Sequence, residues 1–439
     1  MVLAGRSVCI TGRAGCGKSY LVRALVQEVR RLHGARLVFV TASTGVAACT
    51  IGGTTLHSFA GVGLGDNAVA HLITKARRHK GVLRRWKRAR VLFIDEISMV
   101  DGLWFSKLEA MARGLRGSDA VWGGIQLVLV GDFFQLPPVS RRDEPRKPFA
   151  FEAPCWNTLI PPHAVVDLRQ QMRQSKDTTL ADLLNHVRVA KTWGPIGSTM
   201  GKAFAGGGTA LAALRAQGMV PTRLFAHNKV VAAWNTAALA AVEGEPRTWV
   251  AVDTGDKRAQ AQLDSSCLAE REVVLKVGAQ VMLLRNLRTE QGLCNGVQGV
   301  VEGWARDEHG NVWPRVRFRT ASGTSCMQVV HTSTWDITRG HEVLATRKQV
   351  PLKLAYAISI HKSQSMTLPA LHVDLRGVFE AGQAYVALSR GTSLATMQVD
   401  NFAADAVFCD KKVLQFYFHI AQAHAVAAAA VEAEDSAMV

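Results

Sequence analysis

Short apolar runs alternate with amphipathic stretches through the first third of the chain. Ser7-Val8-Cys9-Ile10-Thr11, Leu37–Ala42, Val91–Ile94 and Leu127–Val130 are apolar and rich in β-branched residues. Each has the length and composition of a buried strand. Between the first two, Ser19 to His33 carries Leu21, Leu25, Val29 and Leu32 near one face, which predicts a helix. Strands apolar on both faces, separated by helices, predict an α/β fold with a parallel sheet covered on both sides.

The pattern then weakens and returns. Arg141–Lys147 is charged and holds proline, so a loop is expected, and glycine-rich Lys191–Gly208 reads as a linker or irregular insertion. A second α/β segment starts near Arg223-Leu224-Phe225-Ala226. The runs Gln280–Leu284, Val297–Val301 and Val312–Phe318, punctuated by glycine and asparagine, suit a small β-barrel inserted in it. Parallel α/β signals resume at Ala355–Ile360 and Leu371–Val373, and alanine-rich Ala421–Val439 is expected to be a frayed helix or disordered. The expected domains are 1–165, with a basic insertion near 62–90, and 166–420, with the barrel near 273–346.

A length of 439 residues suits two to four domains, and 48% hydrophobic with 20% charged residues is globular composition. The formal net charge of +17 changes the picture, because a polyanion such as nucleic acid would relieve that self-repulsion. Lys75, Arg77, Arg78, Lys80, Arg84, Arg85, Lys87, Arg88 and Arg90 crowd one stretch. A solvated helix face and a phosphate-contacting insertion both account for it. The 8 cysteines include no Cys-x-x-Cys pair and read as reduced thiols of an intracellular protein, with no zinc site expected. No apolar run reaches membrane-spanning length, and Met1–Ser7 runs straight into a strand, so no signal peptide is expected.

The chemistry enters at Gly12-Arg13-Ala14-Gly15-Cys16-Gly17-Lys18-Ser19, which fits G-x-x-x-x-G-K-[ST] between a strand and a helix. Such a loop turns backbone N–H groups toward phosphate oxygens at a helix N-terminus. Lys18 is expected to neutralise the β and γ phosphates of ATP, and Ser19 to ligate Mg²⁺. Asp95 and Glu96 end an apolar strand: the first suits Mg²⁺, the second a general base for water. Gln135, in Gly131–Pro138, suits a γ-phosphate sensor. An arginine finger would complete the site, and Arg173 and Arg390 are the candidates. If both face the nucleotide, ATP binding closes a cleft between two domains.

In this order the residues resemble superfamily-one DNA helicases of the PIF family (petite integration frequency), relatives of RecD-like motors. Thr41–Ala48 and Gly52–Phe59 resemble its motifs Ia and Ib. Lys107–Ala110 continuing to Gly123–Leu127 resembles its signature segment, and Leu275–Met282 with Asn295-Gly296 its later region. Ile360–Gln364 and Met366–Leu368 resemble motif V. The resemblance covers nearly all of the chain to Phe402. It implies two RecA-like P-loop NTPase domains, a small basic insertion in the first and an SH3-like β-barrel in the second. It implies a DNA-stimulated ATPase that unwinds duplexes 5′ to 3′ in genome maintenance, repair, recombination or telomere upkeep. Lys18, Ser19, Asp95, Glu96, Gln135, Arg173 and Arg390 then form the ATP site, with Gly12, Gly15 and Gly17 in the cradle. Thr54, His57, His361 and Lys362 become strand contacts. The implied partners are single-stranded and forked DNA, with G-quadruplexes and RNA–DNA hybrids as further candidates. A monomer in the nucleus or mitochondrion, away from membrane, is implied as well.

Three positions depart from the family. Only Met1–Thr11 precedes the P-loop, where the family has a glutamine-bearing segment that reads adenine. A truncated chain or looser adenine specificity is therefore expected. Cys16 replaces the common threonine, with oxidation sensitivity as the expected effect. Ser365 stands where motif V has glycine, at a cost of roughly 1 kcal/mol if the site needs φ > 0. Two other readings stay open: a catalytically weakened nucleic-acid-binding relative and a P-loop small-molecule kinase.

Overall fold

The computed structural model describes residues 1–437 except 64, 141–143, 217–219, 289–290, 292, 294, 320–324 and 340–341. Part of the expected loop Arg141–Lys147 and the last two residues of the expected tail thus lie outside the described residues. The chain packs into two compact units. The first is Met1–Phe204 with Val378–Ser393 and Phe402–Val439; the second is Ala205–Gly377 with Leu394–Asn401. The expected division at 165/166 falls inside the first unit.

The first unit is built on six parallel strands: β1 (Val8–Gly12), β2 (Val38–Ala42), β3 (Thr54–Thr55), β4 (Val91–Asp95), β5 (Gln126–Val130) and β6 (Val165–Leu168), in the order β3-β2-β4-β5-β1-β6. β1, β4 and β5 are buried along their whole length, as strands covered on both faces must be. One apolar cluster joins Val8, Ile10, Val38, Val40, Val91, Phe93, Val128 and Val130 to Val22, Val26 and Val29 of the helix Lys18–His33. Because β1 lies between β5 and β6, its C-terminal end sits beside the ends of both.

The basic stretch forms two helices, Val69–Arg78 and Lys80–Arg88. Leu72 and Ala76, then Val82 and Trp86, recur four residues apart and are buried. Arg77, Arg78, Lys80, Arg84, Lys87 and Arg88 are left exposed. Arg116 caps the second helix by donating to the carbonyls of Trp86, Lys87 and Ala89, and also donates to Gly123. Trp122, Gly123 and Gly124 are all left-handed, at φ 54, 57 and 78. A Cβ on Gly123 would sit 2.7 Å from the Ala112 carbonyl oxygen, so glycine is required there.

One expectation needs correction. Lys191–Gly208 is not irregular: Gly194–Ala205 is a helix that buries Met200 and packs Phe204 on Phe402 at 5.0 Å. Of the two alternatives for Ala421–Val439, the helix is the one found over the described residues, and it starts before 421. Lys411–Ala437 is one continuous helix, and Phe416 enters a cluster with Phe133, Phe151 and Trp156.

The second unit has a parallel sheet of β7 (Thr222–Phe225), β18 (Ala357–Ser359), β19 (Leu371–Asp374) and β20 (Met397–Asp400), in the order β18-β7-β19-β20. Antiparallel strands are inserted between β7 and β18. Five of them are β11 (Gln280–Leu283), β12 (Gln298–Arg306), β13 (Val312–Arg319), β14 (Ser325–Val329) and β17 (Leu352–Leu354), ordered β14-β13-β12-β11-β17. The insertion starts earlier than 273. β8 (Arg247–Val250) pairs with β10 (Glu272–Leu275), and β9 (Val252–Gly255) pairs with β16 (Glu342–Gln349), which also pairs with β15 (Ser333–Arg339). Val273, Leu275, Val281, Leu283, Val301, Val316, Phe318 and Leu352 share its apolar core.

Candidate nucleotide site and nucleic-acid contacts

The loop Gly12–Ser19 leaves β1 and enters the helix Lys18–His33. Two of its glycines answer to close approaches. A Cβ on Gly12 (φ +143) would lie 2.5 Å from the Leu168 carbonyl oxygen, and one on Gly15 (φ +84) would lie 2.6 Å from Arg173 Cβ. Lys18 Nζ donates to the carbonyls of Gly12 at 2.7 Å and Arg13 at 2.9 Å, which places its charge inside the loop. Ser19 lies in the first turn of the helix.

Strand β4 carries the carboxylates. Asp95 and Glu96 are 6% and 9% exposed, and Glu96 N donates to Asp95 Oδ1 at 2.8 Å. Glu96 is left-handed (φ 52), so the chain turns sharply where the acids end the strand. Burial, then the neighbouring Glu96 charge, raises the Asp95 carboxyl above its ordinary value, and Lys18 opposes them.

Two further segments close around the loop. Gln171 Nε2 donates to the Ala14 carbonyl, and the backbone amides of Met172 and Arg173 donate to that of Gly15. From the helix Gln383–Leu388, Tyr385 accepts the Ala14 amide at 2.8 Å. Arg173 Nη1 donates to the Ser389 carbonyl, and Gln174 Nε2 to those of Ser389 and Gly391. Arg390 is 1% exposed and donates to the Val386 carbonyl and to Ser389 Oγ. Burial, then the charge of Arg173, pushes Arg390 down to about 9, so it remains cationic at neutral pH. Glu96 counters that shift, as it does for Arg173. The field of Glu96 thus reaches both arginines, and all three lie in the first unit.

Gln135 is 5% exposed in the loop after β5, and its amide donates to the Asp132 carbonyl. Asp132 is fully buried and receives Arg188 Nη2 at 2.8 Å and Nε at 3.1 Å. Burial alone would raise the Asp132 carboxyl; the charge and hydrogen bonds of Arg188 outweigh it and hold the group below the ordinary carboxylate range. A Cβ on Gly382 would overlap the Phe134 carbonyl, so the 378–393 segment packs directly on this loop. Tyr385, Gln171, Gln174, Asp132, Arg188 and Tyr417 were missed in the sequence reading. Gln171 and Gln174 flank Arg173, Asp132 shares the segment Gly131–Pro138 with Gln135, and Tyr385 stands shortly before Arg390, so each had a local signal; Arg188 and Tyr417 had none.

The strand-contact candidates divide between the units. Thr54 is exposed at β3, and His57 stacks on Trp104 at 5.1 Å with an interplanar angle of 8°. His57 lines a cavity of about 640 Å³ with Thr44, Trp104, Lys107 and Lys147. Burial lowers the His57 imidazole below its ordinary value. His361 and Lys362 lie in the second unit, in the turn after β18. Burial, then the charge of Lys353, lowers the Lys362 ammonium. Three residues on, Ser365 has φ +68, the left-handed conformation for which glycine is suited.

An all-parallel sheet with a P-loop at the end of an inner strand defines a P-loop NTPase of the RecA-like class. Within that class, the chain belongs to the PIF1-like helicase family. The model of the PIF1-like helicase matches residues 1–193, and that of the DNA helicase Pif1 2B domain matches residues 260–303. The ATP-dependent DNA helicase PIF1 of Mus musculus is 41% identical over 422 residues, 96% of this chain and 62% of the relative. The chain thus spans 62% of the length of that relative. The crystal structure of the Pif1 helicase from Candida albicans is 38% identical, with a TM-score of 0.83 over 95% of this chain and 97% of that one. The Bacteroides Pif1 helicase in complex with ADP-AlF3 and single-stranded DNA is 25% identical, with a TM-score of 0.63 over 95% and 94%.

Proposed function

We propose that this chain is an ATP-driven DNA helicase that moves 5′ to 3′ on single strands and unwinds duplex or structured DNA. The observation that carries the reading is that Lys18 and Arg173 meet one glycine loop, with Glu96 and Arg390 within electrostatic reach of Arg173. That loop suits phosphates, since Gly12, Gly15 and Gly17 all hold positive φ at the N-terminus of the helix Lys18–His33, the backbone a phosphate cradle needs. The buried acids beside it suit a divalent cation. Lys18 and the loop amides would hold the β and γ phosphates, while Ser19 and Asp95 would hold Mg²⁺. The bound cation supplies charge neutralisation at the phosphates. Glu96 is the proton acceptor for the attacking water, and Gln135 orients that water. Arg173 and Arg390 meet the charge that develops on the transferred phosphoryl group, an effect worth roughly 10³–10⁵ in rate for an arginine finger.

Thr54, His57, His361 and Lys362 are the proposed strand contacts, and phosphate contacts of this kind are sequence-independent and salt-sensitive. The Bacteroides relative bound to ADP-AlF3 and single-stranded DNA supports both ligands. Forked DNA, G-quadruplexes and RNA–DNA hybrids as substrates, a monomeric state, and work in the nucleus or mitochondrion belong to the same reading. A strand-displacement assay on duplexes with a 5′ or a 3′ tail, with and without ATP, tests it. ATP-dependent opening of the 5′-tailed duplex alone is the expected result. Tight DNA binding without turnover would instead favour a catalytically weakened relative, the reading to which the left-handed Ser365 lends weight.

A further inference from the structure

Tyr417 lies on the C-terminal helix Lys411–Ala437, hundreds of residues from the phosphate loop, yet its hydroxyl reaches the centre of the first unit. It lies 2.5 Å from Thr11 Oγ1, the residue before Gly12, and accepts the Phe133 amide at 3.2 Å. It is also 3.5 Å from Asp132 Oδ1. The Tyr417 ring stacks on Phe134 at 4.8 Å and 10°, and the Arg188 guanidinium lies over both rings, at 4.4 Å from Phe134 and 5.2 Å from Tyr417. Strand β1 and the loop after β5 are neighbours in the sheet, but their ends carry different duties: one presents the phosphate loop, the other Gln135. Asp132 sets the turn of the second by accepting the Phe134 amide through Oδ1 and the Gln135 amide through its carbonyl. Tyr417 therefore touches the entry to the phosphate loop and the base of the Gln135 loop with one oxygen.

We propose that Tyr417 is a positioning residue whose hydroxyl ties the phosphate loop to the Gln135 loop and fixes the distance between them. A tyrosine that merely fills space would act through its ring, which phenylalanine keeps. The hydroxyl is the part the proposal needs, and a neutral hydroxyl buried with three partners is the arrangement that fixes spacing. The inference rests on the nucleotide reading above, and two independent measurements separate their fates.

The first is DNA-stimulated ATP hydrolysis by the full chain at saturating single-stranded DNA. Tyr417→Phe is expected to lower kcat roughly tenfold while KM stays within about twofold, the signature of an interaction needed in the transition state. Thr11→Val should reproduce the fall, and Thr11→Ser, which restores the hydroxyl, should reverse it. The second is hydrogen–deuterium exchange of residues 131–138, expected to run roughly tenfold faster in Tyr417→Phe because the Phe133 amide loses its acceptor. Either measurement left unmoved by Tyr417→Phe overturns the proposal. A wild-type chain that hydrolyses no ATP would defeat the nucleotide reading instead. The exchange experiment then decides this one alone: faster exchange upholds the tie, and unchanged exchange removes it.

Discussion

The guanidinium of Arg173 donates to the carbonyl oxygen of Ser389, so one candidate finger is fastened to the backbone just before the other, Arg390. The charge of Arg173 adds to the cost of burying Arg390, and the field of Glu96 favours the charged form of both. The pair behaves as a unit, and Arg173 and Arg390 should not be additive. Alanine at either position should lower hydrolysis by roughly 10³-fold, and the double variant should fall little further. Steady-state ATPase rates of the two singles and the double, with fluorescent-nucleotide binding as the control, give the comparison. Multiplicative losses would show that the arginines act separately.

Ser365 holds φ +68 without the conformational freedom of glycine. Ser365→Gly should stabilise the second unit by about 1 kcal/mol where strain dominates, less the entropy that glycine adds to the unfolded chain. The same change is expected to raise base pairs opened per ATP. Chemical denaturation paired with simultaneous unwinding and ATPase assays measures both, and an unchanged coupling ratio would show that the serine is harmless.

The Asp132–Arg188 pair gives the fold an acid-side dependence. The native carboxyl titrates below its unfolded value of about 3.9, so its stabilising contribution is full above that pH and disappears as pH falls through the lower native value. Asp132→Asn should flatten the dependence of stability on pH below about 4. It should also cost roughly 3–5 kcal/mol at neutral pH, because Arg188 is left buried without its partner. Urea midpoints from pH 3 to 7 test both parts, and parallel curves for wild type and variant would argue against them.

The exposed cations of the helices Val69–Arg78 and Lys80–Arg88 predict a salt signature. Removing Arg84, Lys87 and Arg88 together should reduce the slope of log K against log salt by about 0.7 for each one that meets a single-strand phosphate. Fluorescence anisotropy over a salt series reads the slope directly. An unaltered slope would return these side chains to the status of a solvated face.

Much of the first unit was legible because its signals are local. β1, β2, β4 and β5 are apolar runs, and the P-loop lies between a strand and a helix that each announce themselves. Ser365 was legible too: a residue out of place in a motif pointed to a backbone conformation that the structure holds. What failed to show was long-range. The helix Gly194–Ala205 hides among glycines because Phe204 finds its partner at Phe402, not within its own turn. Tyr385 reaches Ala14 across 371 residues and Tyr417 reaches Thr11 across 406, and no periodicity spans such distances. Arg188 ends a helix whose sequence gives no hint that Asp132 waits for it. The basic stretch was visible as charge, but its anchoring by Trp86 and Arg116 follows from packing alone.

The first unit is drawn from three stretches of chain, and its aromatic cluster needs Phe416 from the last of them. A ribosome delivers those stretches in order. After residue 204 has been made, roughly 10–40 s pass at roughly 5–20 residues per second before the 402–437 segment emerges. During that interval Phe133, Phe151 and Trp156 lack a lid, and the nascent chain presents a sticky aromatic face to whatever surrounds it. The aromatic core of the phosphate-loop unit can therefore close only after the whole second unit has been synthesised.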